Sequence, residues 1–320
     1  MSIIEKAASR IDQQRSAAKP LPAIAAPTNA GAVVADSSAA VSAAEPVNEL
    51  ASPPAAPAQV VAPAPELIQP AVEPAQRGKA RMVELDLAKM REQGMVTAAG
   101  GRTNLLEEFR IIKRPLLNRA FGERNEGEPP PNLIMVTSSL PGEGKTYCAI
   151  NLAMSIAMEL DHTVLLVDAD VARPSVLRTL GLPAQRGLMD ILIDDKLDLA
   201  DVMLRTNVDT LSILPAGTST PRATELLASS TMSSMLHEIA NRYPDRVVIF
   251  DSPPLLLTSE SRVLASHMGQ IVVVVEAQTT TQHAVKEALH KLDGCKNVNL
   301  IYNKTRDIPG IEETYDYHYG

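Results

Sequence analysis

The chain of 320 residues contains few aromatic side chains: no tryptophan, three phenylalanines and six tyrosines. None of them precedes Phe109, and residues 20–75 also contain no lysine or arginine but hold eleven of the 24 prolines. A segment so poor in large side chains cannot bury enough apolar surface to offset the entropy lost on ordering. We therefore expect a disordered, Ala/Pro-rich linker over residues 19–80.

Other scarce features exclude whole classes of protein. Cys148 and Cys295 are too few for a disulfide scaffold and lack the spacing of metal ligands. The longest strongly apolar stretch, Ile271 to Val275, is far shorter than the ~18 residues that a membrane-spanning helix requires. A net charge of −8 argues against general nucleic-acid binding, which needs a basic surface. We expect a cytoplasmic protein that binds no nucleic acid.

The N-terminal residues 1–18 have the pattern of a short amphipathic helix. Ser2 and Glu5 have the spacing of a capping box, and the apolar residues that follow lie on one helical face. Such a short helix is marginal by itself in water, so it needs a partner chain, a membrane surface or the main domain. A frayed surface helix is the alternative.

A second helical region is predicted after the linker, over residues 81–131. Apolar residues from position 82 onward precede Gly94, which is typical of the end of a helix. A further helix is expected from Thr103 or Asn104 through Leu116, with Pro115 as an irregularity in its interior.

The pattern changes after the turn-rich residues 125–131. Six short apolar runs follow, most of them separated by segments of helical length and amphipathic character. Continuous apolar strands indicate a sheet that is covered on both faces, which means parallel strands with crossover helices. We predict an α/β, P-loop NTPase-like domain over residues 132–311. Its expected strands are Leu133–Val136, Val164–Val167, Leu211–Leu214, Val247–Phe250, Ile271–Val275 and Val298–Ile301.

The strongest local signal, a glycine-containing loop, follows the first of these runs and opens a predicted helix. Loop amides and the positive end of the helix bind phosphate oxygens, while Lys145 neutralises charge and the Thr146 hydroxyl ligates Mg²⁺. The general pattern has glycine where Ser139 stands, but the two loop glycines still allow close approach of the backbone. A chance glycine turn is the alternative to a nucleotide site. The predicted nucleotide-binding residues here are Pro141, Gly142, Glu143, Gly144, Lys145, Thr146 and Tyr147.

Carboxylates follow two later strands. Asp168 and Asp170 end the second apolar run, and Asp251 ends the fourth. Because the carboxyl ends of parallel strands open on one side of a sheet, we expect these groups to lie near the phosphate loop. Capping of the next helix is the ordinary role of such an aspartate. Together with the loop, the three carboxylates predict a Mg²⁺ site.

These motifs resemble those of bacterial tyrosine kinases of exopolysaccharide synthesis, which are cytoplasmic autokinases with variant Walker motifs. The resemblance covers about residues 103–320. It is carried by the Walker A loop at 141–146, the Walker A′ segment Asp168-Ala-Asp170-Val-Ala-Arg173-Pro and the Walker B segment Asp251-Ser-Pro-Pro254. The subgroup associated with exosortase-type polysaccharide loci looks most similar over residues 2–16, 82–95 and 107–117.

The resemblance implies ATP-dependent phosphorylation of tyrosine with ATP and Mg²⁺ as cofactors. Lys145 would neutralise the phosphoryl group, and Thr146, Asp168 and Asp251 would hold the metal directly or through water. Either Asp168 or Asp170 would orient the incoming tyrosine, and both assignments stay open.

Two further positions are assigned on the resemblance. Arg173 belongs to the Walker A′ element, and Asn303 occupies the position where related nucleotide-binding folds contact adenine. An asparagine that simply ends a strand is the alternative for Asn303.

Half of the tyrosines lie within the last six residues. Tyr315, Tyr317 and Tyr319 alternate with Asp316 and His318 in a segment, residues 312–320, that also begins with two glutamates. This composition is typical of a solvated tail, with an edge strand that packs its tyrosines on one face as the alternative. In the resembling family such a tail is the site of autophosphorylation.

The resemblance also implies partners. Family rings use a Glu-x-x-Arg-x-x-Arg motif, and the best match here is Glu107, Arg110 and Lys113, where lysine loses the bidentate fork of arginine. The motif predicts a ring-like homo-oligomer that phosphorylates in trans. A separate polysaccharide co-polymerase is the expected activator at the inner membrane, and a cognate phosphatase the expected antagonist.

A second function class shares this sheet. Septum-positioning and plasmid-partitioning ATPases act as nucleotide-driven switches, but they carry a second lysine five residues before the loop lysine, where Leu140 stands here. A scaffold that binds nucleotide without transferring phosphate is a third hypothesis.

Overall fold

The computed structural model describes residues 81–98, 101, 103–124 and 127–305. The predicted N-terminal helix, the linker and the tyrosine tail lie outside the described residues, so they stay predictions. One sheet dominates the rest, with strand order β1-β4-β5-β3-β6-β2-β7-β8. Its strands are β1 (Arg81–Val83), β2 (Leu133–Ser138), β3 (Thr163–Asp168), β4 (Leu204–Thr206), β5 (Leu211–Leu214), β6 (Arg246–Asp251), β7 (Gln270–Glu276) and β8 (Val298–Asn303).

Helices cover both faces of this sheet. The helices are α1 (Leu87–Glu92), α2 (Asn104–Ala120), α3 (Lys145–Ala157), α4 (Val176–Thr179), α5 (Leu188–Ile193), α6 (Leu199–Val202), α7 (Ala223–Leu227), α8 (Ser230–Arg242), α9 (Glu260–Ala265) and α10 (Gln282–His290). Within the described ranges, no helix combines the length and the apolar character that a membrane span requires.

The six predicted strands all form, and they pair in parallel from β5 to β8. Alternate residues of each strand enter different cores: Ile134 packs with α2 and α3, whereas Leu133 packs with α5 to α10 on the opposite face. Both faces are therefore buried, which confirms the covered parallel sheet that the continuous apolar runs predict.

Two short strands depart from the prediction. The segment 81–83 is a strand, not the start of a helix, and it pairs in parallel with β4. Because β4 runs antiparallel to β5, both added strands point against the other six. Three residues contain too little periodicity for a local pattern to separate strand from helix, and the pairing partner lies far along the chain. This reversed direction places Arg81 and Leu204, the first residues of β1 and β4, at the end of the sheet where the parallel strands have their carboxyl ends.

The two helices that precede β2 begin at residues that cap them, and the first of them ends just before a glycine. The Asp86 side chain accepts a hydrogen bond from the Lys89 amide at the start of α1, and Gly94 adopts φ +73° just beyond its end. The Thr103 hydroxyl caps α2 in the same way, and Pro115 lies inside α2 as predicted. These caps confirm both helices, although α1 is shorter than the apolar pattern suggests.

Lys113 on α2 faces the interior and is 3% exposed. Its Nζ donates to the Ser155 carbonyl at 2.5 Å and pairs with Glu159 at 2.6 Å, so it links α2 to α3 and the turn that follows. This placement contradicts its predicted role as an oligomer contact, because the ammonium is occupied within its own subunit. Spacing along a helix did not reveal which face α2 presents to α3.

Replacing Lys113 with methionine should lower the free energy of unfolding by about 2 kcal/mol, since the Ser155 carbonyl and Glu159 lose a buried charged partner. Urea denaturation of both proteins measures the difference. Arg114→Met is the matched control, because the neighbouring Arg114 is exposed, and it should change stability by less than about 0.5 kcal/mol. Equal effects of the two substitutions would contradict the interior role.

Candidate functional site

The phosphate loop connects β2 to α3 in a conformation that depends on glycine. Gly142 and Gly144 have φ of 88° and 94°, in the left-handed region that other residues rarely adopt. A Cβ atom on Gly144 would also lie 2.1 Å from Nδ2 of Asn303. The loop therefore has both the backbone geometry and the close packing that the sequence motif predicts.

Side chains at and just after the ends of β7 and β8 hold this loop in place. Asn303 donates to the Glu143 carbonyl at 2.7 Å, and Lys304 donates to the Gly142 carbonyl at 2.8 Å while pairing with Glu276. The Glu143 carboxylate is buried and accepts hydrogen bonds from the Leu140 amide and the Thr280 hydroxyl. The loop is thus fixed by the end of β7, which neighbours β2, and by the end of β8, which follows β7 at the side of the sheet.

Lys145 lies among carboxylates at the first turn of α3. Its Nζ is 2.8 Å from Asp170 Oδ2 and 3.7 Å from Asp251 Oδ1. Burial alone would lower the pKa of Lys145, but the charges of Asp251 and Asp170 outweigh it and raise that pKa above its ordinary value. The lysine is therefore held as a cation at the mouth of the loop.

Asp168 and Asp251 are register partners on the adjacent strands β3 and β6. Asp168 Oδ2 accepts the amides of Ser175 and Val176 at 2.9 Å each, while Asp251 Oδ2 accepts the Thr146 hydroxyl at 2.6 Å. The second oxygen of each carboxylate is buried and has no hydrogen bond within the described residues, although Asp251 Oδ1 lies 3.7 Å from Lys145 Nζ. Two carboxylate oxygens without hydrogen bonds, beside a threonine hydroxyl, suit Mg²⁺, which takes one or two protein carboxylates and fills its shell with phosphate oxygens and water.

Among the described residues, no cluster of three or more His, Cys, Asp or Glu side chains is arranged to hold a metal by itself. The arrangement fits a metal that arrives with its nucleotide better than a resident ion in a protein cage.

The burial of these carboxylates changes their acidity. Burial, and then the charge of Asp251, raises the pKa of Asp168 to about 7, although the two backbone amides oppose this. Burial likewise raises the pKa of Asp251 to about 6, against the lowering effects of Lys145 and Thr146. Both groups are harder to ionise than ordinary aspartates until a cation compensates them.

The predicted site residues are not all placed as expected. The Tyr147 hydroxyl donates to the Gly94 carbonyl, so its ring packs against the α1 region, while its backbone amide lies in the first turn of α3, and its place in the nucleotide site stays a prediction. Arg173 is exposed, and its amide donates to Asp170 Oδ1 at 3.1 Å. The Asn303 amide contacts the loop, and its contact with adenine stays a prediction.

Other predicted positions lie away from the loop or outside the described residues. Glu107 and Arg110 are partly exposed and pair with each other at 2.5 Å on α2. They remain a predicted oligomer contact. The acceptor tyrosines of the tail are outside the described residues.

Sequence reasoning missed several residues that shape the site. The Ser175 hydroxyl lies 2.8 Å from that of Thr146, and its amide binds Asp168. Ser175 directly follows the Walker A′ segment, and this position could have indicated its place in the site. No sequence pattern points to Thr280 or Lys304, because only the fold brings the ends of β7 and β8 to the loop.

The fold and the loop define the class of protein: an α/β domain of P-loop NTPase type with a parallel central sheet. A family model described as "AAA domain" matches residues 132–305, from β2 to the end of the described residues.

Relatives identify the family within that class. The chain is 27% identical over 222 residues to the putative tyrosine-protein kinase CapB of Staphylococcus aureus. This alignment covers 68% of this chain and 92% of CapB. It is 32% identical to the tyrosine-protein kinase YwqD of Bacillus subtilis (strain 168), over 51% of this chain and 68% of YwqD. The solved kinase domain of VpsO superposes with a TM-score of 0.53 at 29% identity, covering 63% of this chain and 96% of that domain. The chain belongs to the bacterial tyrosine-protein kinase family.

Removing the charge of Asp168 should stabilise the protein in EDTA without nucleotide. A carboxyl group with a raised folded pKa contributes stability that is complete below its unfolded pKa, near 4, and is lost as pH rises through about 7. Asp168→Asn avoids this loss, so its free energy of unfolding should exceed that of the unchanged protein by about 1–2 kcal/mol at pH 8 and by less at pH 5.

Urea denaturation at both pH values measures the difference. The matched control is Asp161→Asn at an exposed position, for which no pH-dependent gain is expected. A gain for Asp168→Asn that is the same at both pH values would contradict the electrostatic cause.

Proposed function

We propose that this protein is an ATP-dependent protein-tyrosine autokinase that phosphorylates the Tyr315, Tyr317 and Tyr319 cluster in trans and so regulates exopolysaccharide biosynthesis or export. The observation that carries the proposal is the buried arrangement of Lys145 between Asp170 and Asp251 at the end of a phosphate loop. Membership of the kinase family and a tail in which tyrosines alternate with polar residues support it.

The roles of the site residues follow from their contacts. Lys145 is held as a cation at the loop and would neutralise the transferred phosphoryl group. Thr146 and Asp251 would hold Mg²⁺ directly and Asp168 would hold it through water, and the metal would supply charge compensation on the phosphate oxygens. The amides of the loop and of the first turn of α3 would bind the same oxygens, in a conformation already set by the two glycines.

Asp168 is the better candidate for orienting the acceptor phenol. Both oxygens of Asp170 are engaged, one by Lys145 and the other by the Arg173 amide. Asp168 keeps one oxygen without a hydrogen bond and lines a small pocket at the end of β3. A phenol with an ordinary pKa near ~10 arrives protonated and needs such an acceptor.

Strand order supports transfer between subunits. The tail leaves the fold after Lys304 at the β8 edge, and β7, β2 and β6 separate β8 from Asp168 on β3. Four strand spacings amount to roughly 19 Å, which the residues from Arg306 to Tyr315 could span. However, that route crosses the phosphate loop at the end of β2, where the nucleotide would lie. The tail of a second copy avoids this obstacle by entering from the β1 and β4 side.

We propose a separate membrane protein, of the polysaccharide co-polymerase type, as the activator. The alignment covers 92% of CapB but only 32% of the tyrosine-protein kinase Wzc of Salmonella typhimurium. Related kinase regions thus occur both as nearly whole proteins and as a third of a longer one. Peripheral association with the inner membrane would come from the partner, with a cognate phosphatase as the antagonist.

The positioning-ATPase alternative is less well supported. Leu140 stands where that group carries its second lysine, and its amide is engaged by Glu143. ATP hydrolysis without any phosphotyrosine would favour this alternative.

Radiolabelled ATP should place phosphate on tyrosine in the unchanged protein. Lys145→Met should reduce the label by at least about a hundredfold, because the transferred charge loses its cation. The triple variant Tyr315→Phe, Tyr317→Phe, Tyr319→Phe should lose nearly all label but retain ATP binding. Phosphoamino-acid analysis, with and without the cytoplasmic fragment of a co-polymerase, measures both. Full labelling of the triple variant would refute the tail as acceptor.

A mixing experiment tests transfer in trans. The triple Tyr→Phe variant serves as the donor, and a tagged Lys145→Met chain serves as the acceptor. We expect phosphotyrosine on the tagged acceptor at a rate that rises with donor concentration. The Lys145→Met chain alone is the control. Two results together would establish transfer within one chain: the tagged acceptor stays unlabelled, and the wild-type protein labels itself at a rate that does not depend on its concentration.

A further inference from the structure

A cleft runs from the catalytic edge of the sheet toward the β1 and β4 side. Its inner part, about 170 Å³, begins at Asp168 and is bounded by Leu177 and Arg178. Its outer part, about 500 Å³, is bounded by Arg81 and Arg186. Both parts share Ala184, Gln185 and Gly217 in their walls, so they form one continuous cleft, which we call the arginine cleft.

The charge of the arginine cleft is predominantly positive beyond Asp168. Its three arginines, Arg81, Arg178 and Arg186, are exposed. Arg81 donates to the Gln185 side chain at 2.6 Å, and among the described residues none of the three pairs with a carboxylate. The other acidic side chain of the wall, Asp201, already accepts the Asp198 amide at 3.0 Å.

The tyrosine-bearing tail has the opposite charge. Glu312, Glu313 and Asp316 lie beside Tyr315, Tyr317 and Tyr319, and the segment 312–320 contains no lysine or arginine. An extended segment with a tyrosine at Asp168 would place its neighbouring residues along the cleft, since ~3.3 Å per residue matches a groove several residues long.

We propose that the arginine cleft binds the acidic segment 312–320 of a second copy of this chain and so positions its tyrosine at Asp168. The inference rests on the proposed function and adds the surface that selects the acceptor. Arg178 and Arg186 attract the carboxylates that flank the tyrosine, and Arg81 extends the positive wall to the sheet edge. The reversed direction of β1 and β4 contributes to this surface, because it places their first residues at the same end of the sheet as the carboxyl ends of the parallel strands.

The test uses the mixing experiment with altered donors. Charge reversal in the donor, Arg178→Glu with Arg186→Glu, should lower kcat/KM for the tagged acceptor chain by about tenfold or more. The change should come from a higher KM for the acceptor, and kcat/KM should fall further at low salt, where charge interactions are less screened. The KM for ATP should not change. The same two substitutions placed in the acceptor chain should have no effect, because its own cleft is not used.

Compensating charge in the acceptor completes the design. Glu312→Lys with Glu313→Lys in the acceptor tail should weaken transfer by the unchanged donor and restore much of the rate with the reversed donor. Arg124→Glu, at the opposite edge of the sheet near Asn241, is the matched control and should leave transfer unchanged.

The outcomes separate this inference from the proposed function. Absence of phosphotyrosine with every donor, the unchanged one included, would refute the kinase proposal itself. Normal labelling of the acceptor by the reversed donor would overturn the arginine cleft alone. An equal defect when the substitutions are carried by the acceptor would also overturn it, because the cleft would then act outside the donor site.

Discussion

The organisation of the site depends on one electrostatic constraint: three aspartates are buried at the end of a sheet, and Lys145 offsets two of them. Asp168 and Asp251 lie on adjacent strands, and the charge of Asp251 adds to burial in raising the pKa of Asp168, while burial and the charge of Asp170 raise the pKa of Asp251. The amides of α4, the Thr146 hydroxyl and Lys145 compensate only part of this charge. The remaining negative charge suits a divalent cation, which would compensate it.

The rest of the fold keeps that cluster in place. The apolar strands fix the spacing of the aspartates, and helices on both faces exclude water from the groups behind them. The loop is restrained from one side by Asn303 and Lys304, so the chain that leaves β8 toward the tail is in direct contact with the phosphate loop. On the other side the sheet continues into β5, β4 and β1, where the cleft opens. In the proposed reaction, the nucleotide and the acceptor would therefore approach this cluster of charges from different sides.

Much of this was predictable because the signals are local. The six parallel strands, the α2 cap at Thr103 and the glycine loop each follow from a few neighbouring residues. The errors concern partners far along the chain: β1 forms because β4 lies beside it, and Lys113 is buried because α3 covers it. A motif specifies residue type and spacing but not which face meets which neighbour.

The residues that carry the proposed chemistry are visible in the sequence alone: a lysine in a glycine loop, carboxylates that follow apolar strands, and tyrosines gathered in the last six residues. These features depend on residue type and short spacing, which the printed chain displays directly. The folded chain was needed to see which carboxylate oxygens lack a hydrogen bond, that Thr280 and Lys304 restrain the loop, and that three distant arginines line one cleft. The physical reason is that burial and charge coupling arise between strands, where separation along the chain carries no information about distance in space.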